Sequence, residues 1–272
     1  MAQTVDNKVV NNTAQKSYIA IITRVIMFTS LFSLLLNLTS CNQGIEMINP
    51  EVTSVSTPGT RITAALDSNA TLKSVAPFPI GAAFSSGIIL RSTKAYQLFT
   101  NQFNSKTVHA YMKVEPVRGQ FNFQEQDYWV KLAQTNPIRL HGHVLVYHEG
   151  APDWLLNFSG STVEFEQVIK NHIQTVVSRY KGKIKGWDVI NEIYYNSGKL
   201  RQTAFRQLYP SDEAYMGFVK RCFVWAHEAD PDALLFYSDF GTEIAPAKVE
   251  AIVNMVNEFK KSGIPIHGFG SH

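Results

Sequence analysis

Short apolar runs alternate along this chain with longer segments in which apolar residues recur every three or four positions. From Pro77 onward there are six short runs rich in branched and aromatic residues, and their composition predicts β-strands. Strands that alternate with helical segments are typical of repeated βα units and a parallel sheet. The runs are FPIGAAF, TVHAYMKV, IRLHGHVLVYH, IKGWDVIN, ALLFYSDF and IHGFGS.

Three of the intervening segments have the spacing of amphipathic helices. Residues 162–182 end in Lys181 and Gly182, as helices commonly do. Residues 211–231 open on Ser211 as a cap and close before Pro231, and residues 245–263 end in two lysines and a glycine. In the first helix one face is predicted to be buried, and it consists of Phe165, Val168, Ile169, His172, Ile173, Val176 and Val177.

The number and order of these elements predict an incomplete barrel. Six strands with helices between them supply about six of the eight βα units of a TIM (β/α)8 barrel, and residues 75–272 are fewer than the ~250 of a typical closed one. We therefore predict an α/β fold, a partial TIM barrel whose carboxyl-terminal units lie beyond residue 272. A doubly wound open sheet is the alternative that the same pattern allows.

The first quarter of the chain has a different character. Residues 24–41 combine a basic flank, an apolar stretch that is short for a mature membrane-spanning helix, and small polar residues before Cys41. This pattern predicts that residues 1–41 are a secretory signal peptide. Its end, LTSC, resembles the bacterial lipobox, whose cysteine is lipidated and becomes the first mature residue. The alternative is a signal cut near LTS in which the cysteine has no role.

Residues 42–74 are rich in Ser, Thr, Asn and Gly with little periodicity, which predicts a tether between the anchor and a domain at residues 75–272. We therefore expect a secreted protein of the bacterial cell envelope, held by a lipid at the outer membrane or the cell surface. We expect its folded domain to be a monomer.

Charge and cysteine content argue against a nucleic-acid partner, a disulfide framework and a zinc site. The net charge of +3 is spread over 25 basic and 22 acidic residues without a long basic run, so a nucleic-acid partner is not expected. Cys41 and Cys222 lie far apart, with no neighbouring Cys or His at zinc-like spacing, so neither a disulfide framework nor a zinc site is predicted. Cys222 is expected to be a small buried apolar group.

Polar residues follow several of the predicted strands. Lys113, the group from His141 to His148, and Asn191 with Glu192 stand at predicted carboxyl ends. Taken singly, such a lysine is usually solvated and such a glutamate is more often a surface charge or a helix cap. Because the carboxyl ends of barrel strands surround one pocket, their joint placement predicts a shared site.

The segment LHGHVLVYH has two chemical interpretations. Strand alternation places His141 and His143 on one face. Paired imidazoles at this spacing occur in metal-dependent hydrolases, and His267 and Asp239 are the further ligands that the sequence offers. In the other interpretation, His143 hydrogen-bonds a sugar hydroxyl or a carboxylate.

Several of these segments resemble one enzyme family. LHGHVLVYH, GWDVINE and PIHGFGS, in this order and spacing, are similar to the third, fourth and sixth strand motifs of glycoside hydrolase family ten, the retaining endo-β-1,4-xylanases. MKVEPVRGQFNF resembles the segment after the second strand of that family. The resemblance covers residues 78–272. It implies a barrel that hydrolyses internal β-1,4-xylosidic bonds in xylan with retention of configuration and without a cofactor.

The resemblance also implies roles for individual residues. Glu192, the last residue of WDVINE, would be the general acid/base. Asn191 would hold the sugar at the scissile bond. The further substrate-binding residues that it implies are Lys113, His143, Tyr147 and His272.

The chain departs from the pattern of that family. Where the family has an Asn between two Glu, this chain reads VHAYMK, and Tyr147 and His272 stand where Trp and Gln are usual. The nucleophilic Glu of the family lies on the seventh strand, beyond residue 272. Asp239 and Glu243 follow the fifth predicted strand without family precedent as nucleophiles. We therefore expect this chain alone to be inactive, and a non-catalytic or decayed xylan-binding protein is the alternative function.

Overall fold

The computed structural model describes residues 69–82 and 84–272. Within them, the chain forms a parallel sheet of five strands whose order, β1-β2-β3-β4-β5, follows the chain. A doubly wound sheet reverses its strand order at a switch point, so this sheet matches the predicted barrel instead. The strands are β1 Ser105–His109, β2 Arg139–Val146, β3 Ile184–Asn191, β4 Leu234–Asp239 and β5 Gly268–Ser271.

Helices connect successive strands and cover the sheet. The longest two, α6 and α7, pack against each other and against β2 and β3. The helices are α1 Leu72–Val75, α2 Ser86–Arg91, α3 Thr93–Gln102, α4 Gln124–Thr135, α5 Asp153–Leu156, α6 Thr162–Arg179, α7 Asp212–Ala229 and α8 Pro246–Lys261, with 3₁₀ turns at Met112–Val114 and Arg206–Leu208.

The three helices predicted from periodicity are confirmed. The Ser161 hydroxyl accepts a hydrogen bond from the Glu164 N–H in a capping box before α6, and all seven residues of the predicted face are buried. Ser211 caps α7 as predicted, accepting from the Ala214 N–H. Gly182 follows α6 with a left-handed φ of 70°, a conformation that glycine adopts without steric cost.

The first predicted strand, residues 78–84, is wrong. Gly81 makes one isolated parallel bridge to Ser105, and Ile80 O accepts from the Ser105 N–H at 3.0 Å. Pro77 and Pro79 have no N–H to donate to a strand ladder, which limits the pairing. The second predicted strand also ends early, at His109, ahead of the 3₁₀ turn.

The glycine between the two histidines of β2 makes room for a core side chain. Trp187 of β3 is fully buried, and a Cβ built on Gly142 would stand 2.1 Å from its ring. Any side chain at this position would overlap the indole. The HGH sequence thus combines two polar side chains on one face of β2 with close strand packing on the other.

The predictions for the amino-terminal region, including Cys41, concern residues 1–68 and lie outside the described residues. The last residues of the predicted tether are described. There α1 begins at Leu72, and Lys73 Nζ donates to Thr100 O at 2.6 Å. Across the described part of the chain, no helix is both long and apolar enough to cross a bilayer.

Candidate active site

Glu192 lies directly after the carboxyl end of β3 and is only 8% exposed. Its backbone has a φ of 54°, in the left-handed region that residues other than glycine seldom adopt. Its N–H donates to Ser238 O of β4 at 2.9 Å. The neighbouring strand therefore holds the backbone of the predicted acid/base in an unusual turn.

Among the described residues, four polar side chains contact the Glu192 carboxylate. The Tyr147 hydroxyl lies 3.0 Å and Arg201 Nη1 lies 3.1 Å from Oε2. Asn191 Nδ2 lies 3.1 Å and His272 Nε2 lies 3.3 Å from Oε1. Three predicted site residues, from the ends of β2, β3 and β5, thus meet on one carboxylate.

Arg201 and Glu149 belong to this site but were not predicted from the sequence. Arg201 Nη2 lies 3.1 Å from Glu149 Oε1, so the guanidinium bridges two carboxylates. Partial burial raises the pKa of Glu149, but hydrogen bonds from Tyr147 and Arg201 lower it below its ordinary value. Burial, together with hydrogen bonds to Glu192 and Glu149, raises the pKa of Tyr147 far above its usual range, so its hydroxyl keeps its proton.

A hairpin after β3 brings Arg201 to the site. Tyr194 pairs with Leu200 in an antiparallel bridge, and the Arg201 N–H donates to Ile193 O at 2.7 Å. Gly198 closes the turn with a φ of 77°. The sequence signal was the turn-forming pair Ser-Gly between two aromatic and aliphatic flanks, which predicts a chain reversal.

His141 and His143 share one carboxylate. Asp188 Oδ1 lies 3.1 Å from His141 Nε2, and Asp188 Oδ2 lies 2.7 Å from His143 Nδ1. Burial raises the pKa of Asp188, but the hydrogen bonds from the two imidazoles outweigh it and hold that pKa below its ordinary value. Asp188 therefore fixes both rings, in agreement with the carboxylate interpretation of His143.

The metal interpretation of the two histidines is wrong in its ligand set. His267 Nδ1 accepts from the Leu235 N–H at 2.9 Å, away from the pair on β2. Asp239 is fully buried and lies 3.0 Å from Lys248 Nζ. In residues 69–82 and 84–272, no three His, Cys, Asp or Glu side chains are grouped as a metal site.

Lys113 is exposed in the 3₁₀ turn after β1 and lines a groove together with His109 and Tyr111. These two rings also line the adjoining groove, which contains His143 and His272. The Tyr111 ring centroid lies 5.2 Å from that of His109 and 5.7 Å from that of His143. The sequence VHAY, which departs from the family pattern, therefore builds a surface of rings beside Glu192.

Replacing Asp188 with asparagine is expected to reduce stability most near neutral pH. An unfolded aspartate titrates at about pH 3.9, and the folded pKa of Asp188 is lower. Its stabilising contribution is therefore present above about pH 4 and is lost as pH falls through the folded pKa. Urea unfolding at several pH values should show the difference between wild type and D188N shrinking in acid. D232N, at an exposed position, is the control, and a pH-independent difference for D188N would contradict this linkage.

Known proteins resemble this chain over its described region. The profile of Glycosyl hydrolase family 10 matches residues 69–272. Endo-1,4-beta-xylanase A of Xylanibacter ruminicola is 38% identical over 201 residues, covering 71% of this chain and 53% of the relative. The endo-1,4-beta-xylanase of Geobacillus stearothermophilus is 40% identical over 206 residues, covering 71% and 58%. The chain thus spans about half the length of these curated relatives.

Solved structures that superpose on this chain are also xylanases. Native xylanase 10B from Thermotoga maritima superposes with a TM-score of 0.68 at 32% identity, covering 74% of this chain and 63% of that chain. Xylanase 10B from Thermotoga petrophila RKU-1, solved in complex with xylobiose, gives 0.68 at 33% identity, covering 75% and 63%. The predicted partial TIM barrel is confirmed over the described residues, and with three-quarters of its length matched, the chain belongs to glycosyl hydrolase family 10.

Proposed function

We propose that the protein hydrolyses internal β-1,4-xylosidic bonds in xylan with retention of configuration, with Glu192 as general acid/base. The observation that carries this proposal is the buried Glu192 carboxylate at the carboxyl end of a barrel strand, in contact with four polar side chains. Barrel enzymes keep their chemistry at this end of the strands. The names of the relatives, endo-1,4-beta-xylanases, support xylan as the substrate.

The geometry suits both halves of a retaining reaction. As an acid, Glu192 gives a proton to the glycosidic oxygen while the leaving sugar departs; as a carboxylate, it then takes a proton from the attacking water. By resemblance to the family, we assign to Asn191 the role of orienting the sugar at the scissile bond. Its Oδ1 is buried and has no hydrogen-bond partner within the described residues, and an unpaired buried polar atom is uncommon away from functional sites.

Retention also requires a second carboxylate, ~5 to 5.5 Å from the first. Asp239 does not fit, because it is fully buried and paired with Lys248. Glu243 is exposed on the loop after β4 and has no family precedent. By resemblance to the family, the nucleophile would be a glutamate of the seventh barrel strand, and the sheet of the described residues comprises five strands.

Sequencing the gene past codon 272 and expressing the encoded chain tests this function. On xylan, viscosity should fall faster than reducing ends accumulate, because internal bonds are cut. Proton NMR of the fresh products should show β anomers first. Initial α anomers would contradict retention, and release from chain ends alone would contradict internal cleavage. Binding of xylan without turnover would favour the non-catalytic alternative, which the altered VHAY segment supports.

We propose further that a lipid on Cys41 anchors the protein in the bacterial cell envelope, on the strength of the LTSC sequence. In a bacterium with lipoprotein processing, the wild type should partition into the detergent phase. C41S should move to the soluble fraction, because it lacks the thiol that is acylated, and S56A in the predicted tether is the control. Mass spectrometry of the mature amino terminus should find the lipid. An unchanged distribution of C41S would show that Cys41 is not the anchor.

A further inference from the structure

A buried chain of hydrogen bonds runs from α8 to the backbone beside Glu192. Lys248 Nζ lies 3.0 Å from Asp239 Oδ1, and the other oxygen of Asp239 accepts from the Tyr237 hydroxyl. That hydroxyl in turn accepts from the Ile193 N–H at 3.0 Å. Lys248, Asp239 and Tyr237 are all fully buried.

The ion pair between Lys248 and Asp239 is held in one geometry. Lys248 Nζ also donates to Phe240 O at 2.9 Å and lies 4.0 Å from the Phe240 ring centroid. Asp239 Oδ1 accepts a further bond from the Phe240 N–H at 2.9 Å. A buried ion pair is often no more stabilising than apolar residues of similar volume. Stability alone therefore does not account for the Lys248–Asp239 pair. The better explanation is that Lys248 orients the Asp239 carboxylate toward the Tyr237 hydroxyl.

Tyr237 links the oriented Asp239 carboxylate to the backbone at Ile193. Burial and the adjacent Asp239 carboxylate raise the pKa of Tyr237 well above its ordinary value, so its hydroxyl keeps its proton. The proton points to Asp239, which leaves an oxygen lone pair for the Ile193 N–H. The Ile193 amide is thus held by a side chain of β4 and the Glu192 amide by Ser238 O of the same strand.

The turn held in this way is strained. Glu192 has a left-handed φ of 54°, which its Cβ disfavours and which persists only where the surroundings enforce it. Without the Tyr237 hydroxyl, the buried Ile193 N–H would lose its partner, and the turn would be free to relax. A relaxed backbone would move the Glu192 carboxylate away from its contacts with Tyr147 and Arg201.

We propose that Lys248, Asp239 and Tyr237 are positioning residues that hold the Glu192–Ile193 turn and thereby aim the acid/base. The inference rests on the proposed function for its catalytic consequence, but the backbone restraint does not depend on activity. None of the three touches the reacting atoms. Their effect passes through one amide, that of Ile193.

Amide hydrogen exchange tests the restraint directly in the whole protein. In Y237F, which removes one oxygen atom and keeps the ring, the Ile193 amide should exchange at least about tenfold faster. K248M, which frees Asp239 but leaves the hydroxyl in place, should give a smaller change. Y194F is the matched control, because its ring packs against Tyr237 at 6.1 Å outside the chain of bonds. Unchanged protection of Ile193 in folded Y237F would overturn the proposal.

Leaving-group dependence tests the catalytic consequence. With aryl xylobiosides, a displaced acid slows the departure of poor leaving groups more than that of good ones. In the protein expressed from the whole gene, Y237F should therefore lower kcat/KM at least about tenfold more for the phenyl than for the 2,4-dinitrophenyl substrate, with KM little changed. An equal loss on both would indicate a merely structural role and overturn the positioning role. If E192A itself shows no such dependence, the proposed function fails, and the exchange experiment still decides the restraint.

Discussion

In the protein expressed from the whole gene, Glu192→Ala is expected to lower the turnover of xylan by about 10²- to 10⁴-fold, the range that general acid–base catalysis contributes. Xylan has a poor leaving group that needs a proton to depart, and the variant has no carboxyl group to supply it. An aryl glycoside with a good leaving group departs without protonation, so its first step should be largely spared. The second step should slow, because no base activates water, and a burst of phenol release should result. Steady-state and pre-steady-state kinetics on both substrates measure the two effects.

The control for this substitution is Glu250→Gln, at an exposed position on α8, which should leave both activities unchanged. Added azide needs no base, so it should restore aryl glycoside turnover in the Glu192 variant and give a β-glycosyl azide. An equal loss on xylan and on activated aryl substrates would show that Glu192 has another role. Sensitivity of the wild type to chelators would reopen the metal interpretation of His141 and His143.

Gly142→Ala is expected to destabilise the domain by about 3 kcal/mol or more, at or above the upper end of the usual cost of overpacking. The new methyl group would stand 2.1 Å from the Trp187 ring. That ring is fully buried between packed elements and has no space into which to move. Because Gly142 separates His141 from His143, the same strain would also disturb their shared contact with Asp188. Urea unfolding followed by tryptophan fluorescence and by circular dichroism measures the loss.

Gly217→Ala is the matched control, since Gly217 lies inside α7 and the atom nearest to its added Cβ is the flexible end of Arg221, at 3.4 Å. Alanine is the better helix former by about 1 kcal/mol, so this variant should be as stable as the wild type or more so. Replacing the clashing indole with a smaller side chain, in Gly142→Ala/Trp187→Leu, should recover part of the lost stability. Wild-type stability of Gly142→Ala alone would mean that β2 and β3 are not packed as closely as described.

The elements with strong periodicity were predictable from the chain alone. The buried face of α6 was predicted residue by residue, because a helix that packs on a sheet must repeat its apolar positions every three to four residues. The cap at Ser211 was likewise a local signal, since the hydroxyl needs only the N–H groups of the next turn. The motif around Asn191 and Glu192 marked the carboxyl end of β3 because the apolar run stops there.

Only the folded structure decided the features that depend on distant partners. Residues 78–84 look like a strand, yet the ladder that they would join offers one bridge at Gly81. Asp239 stands at the end of a predicted strand, as a catalytic carboxylate would. Its side chain is nevertheless fully buried and paired with Lys248 of the next helix. Arg201 and Glu149 are in contact although 52 positions separate them in the sequence, and no local sequence pattern predicts this pairing. Periodicity records whether a position is buried, whereas the partner of a polar group is set by the packing of strands and loops remote in sequence, which no local pattern encodes.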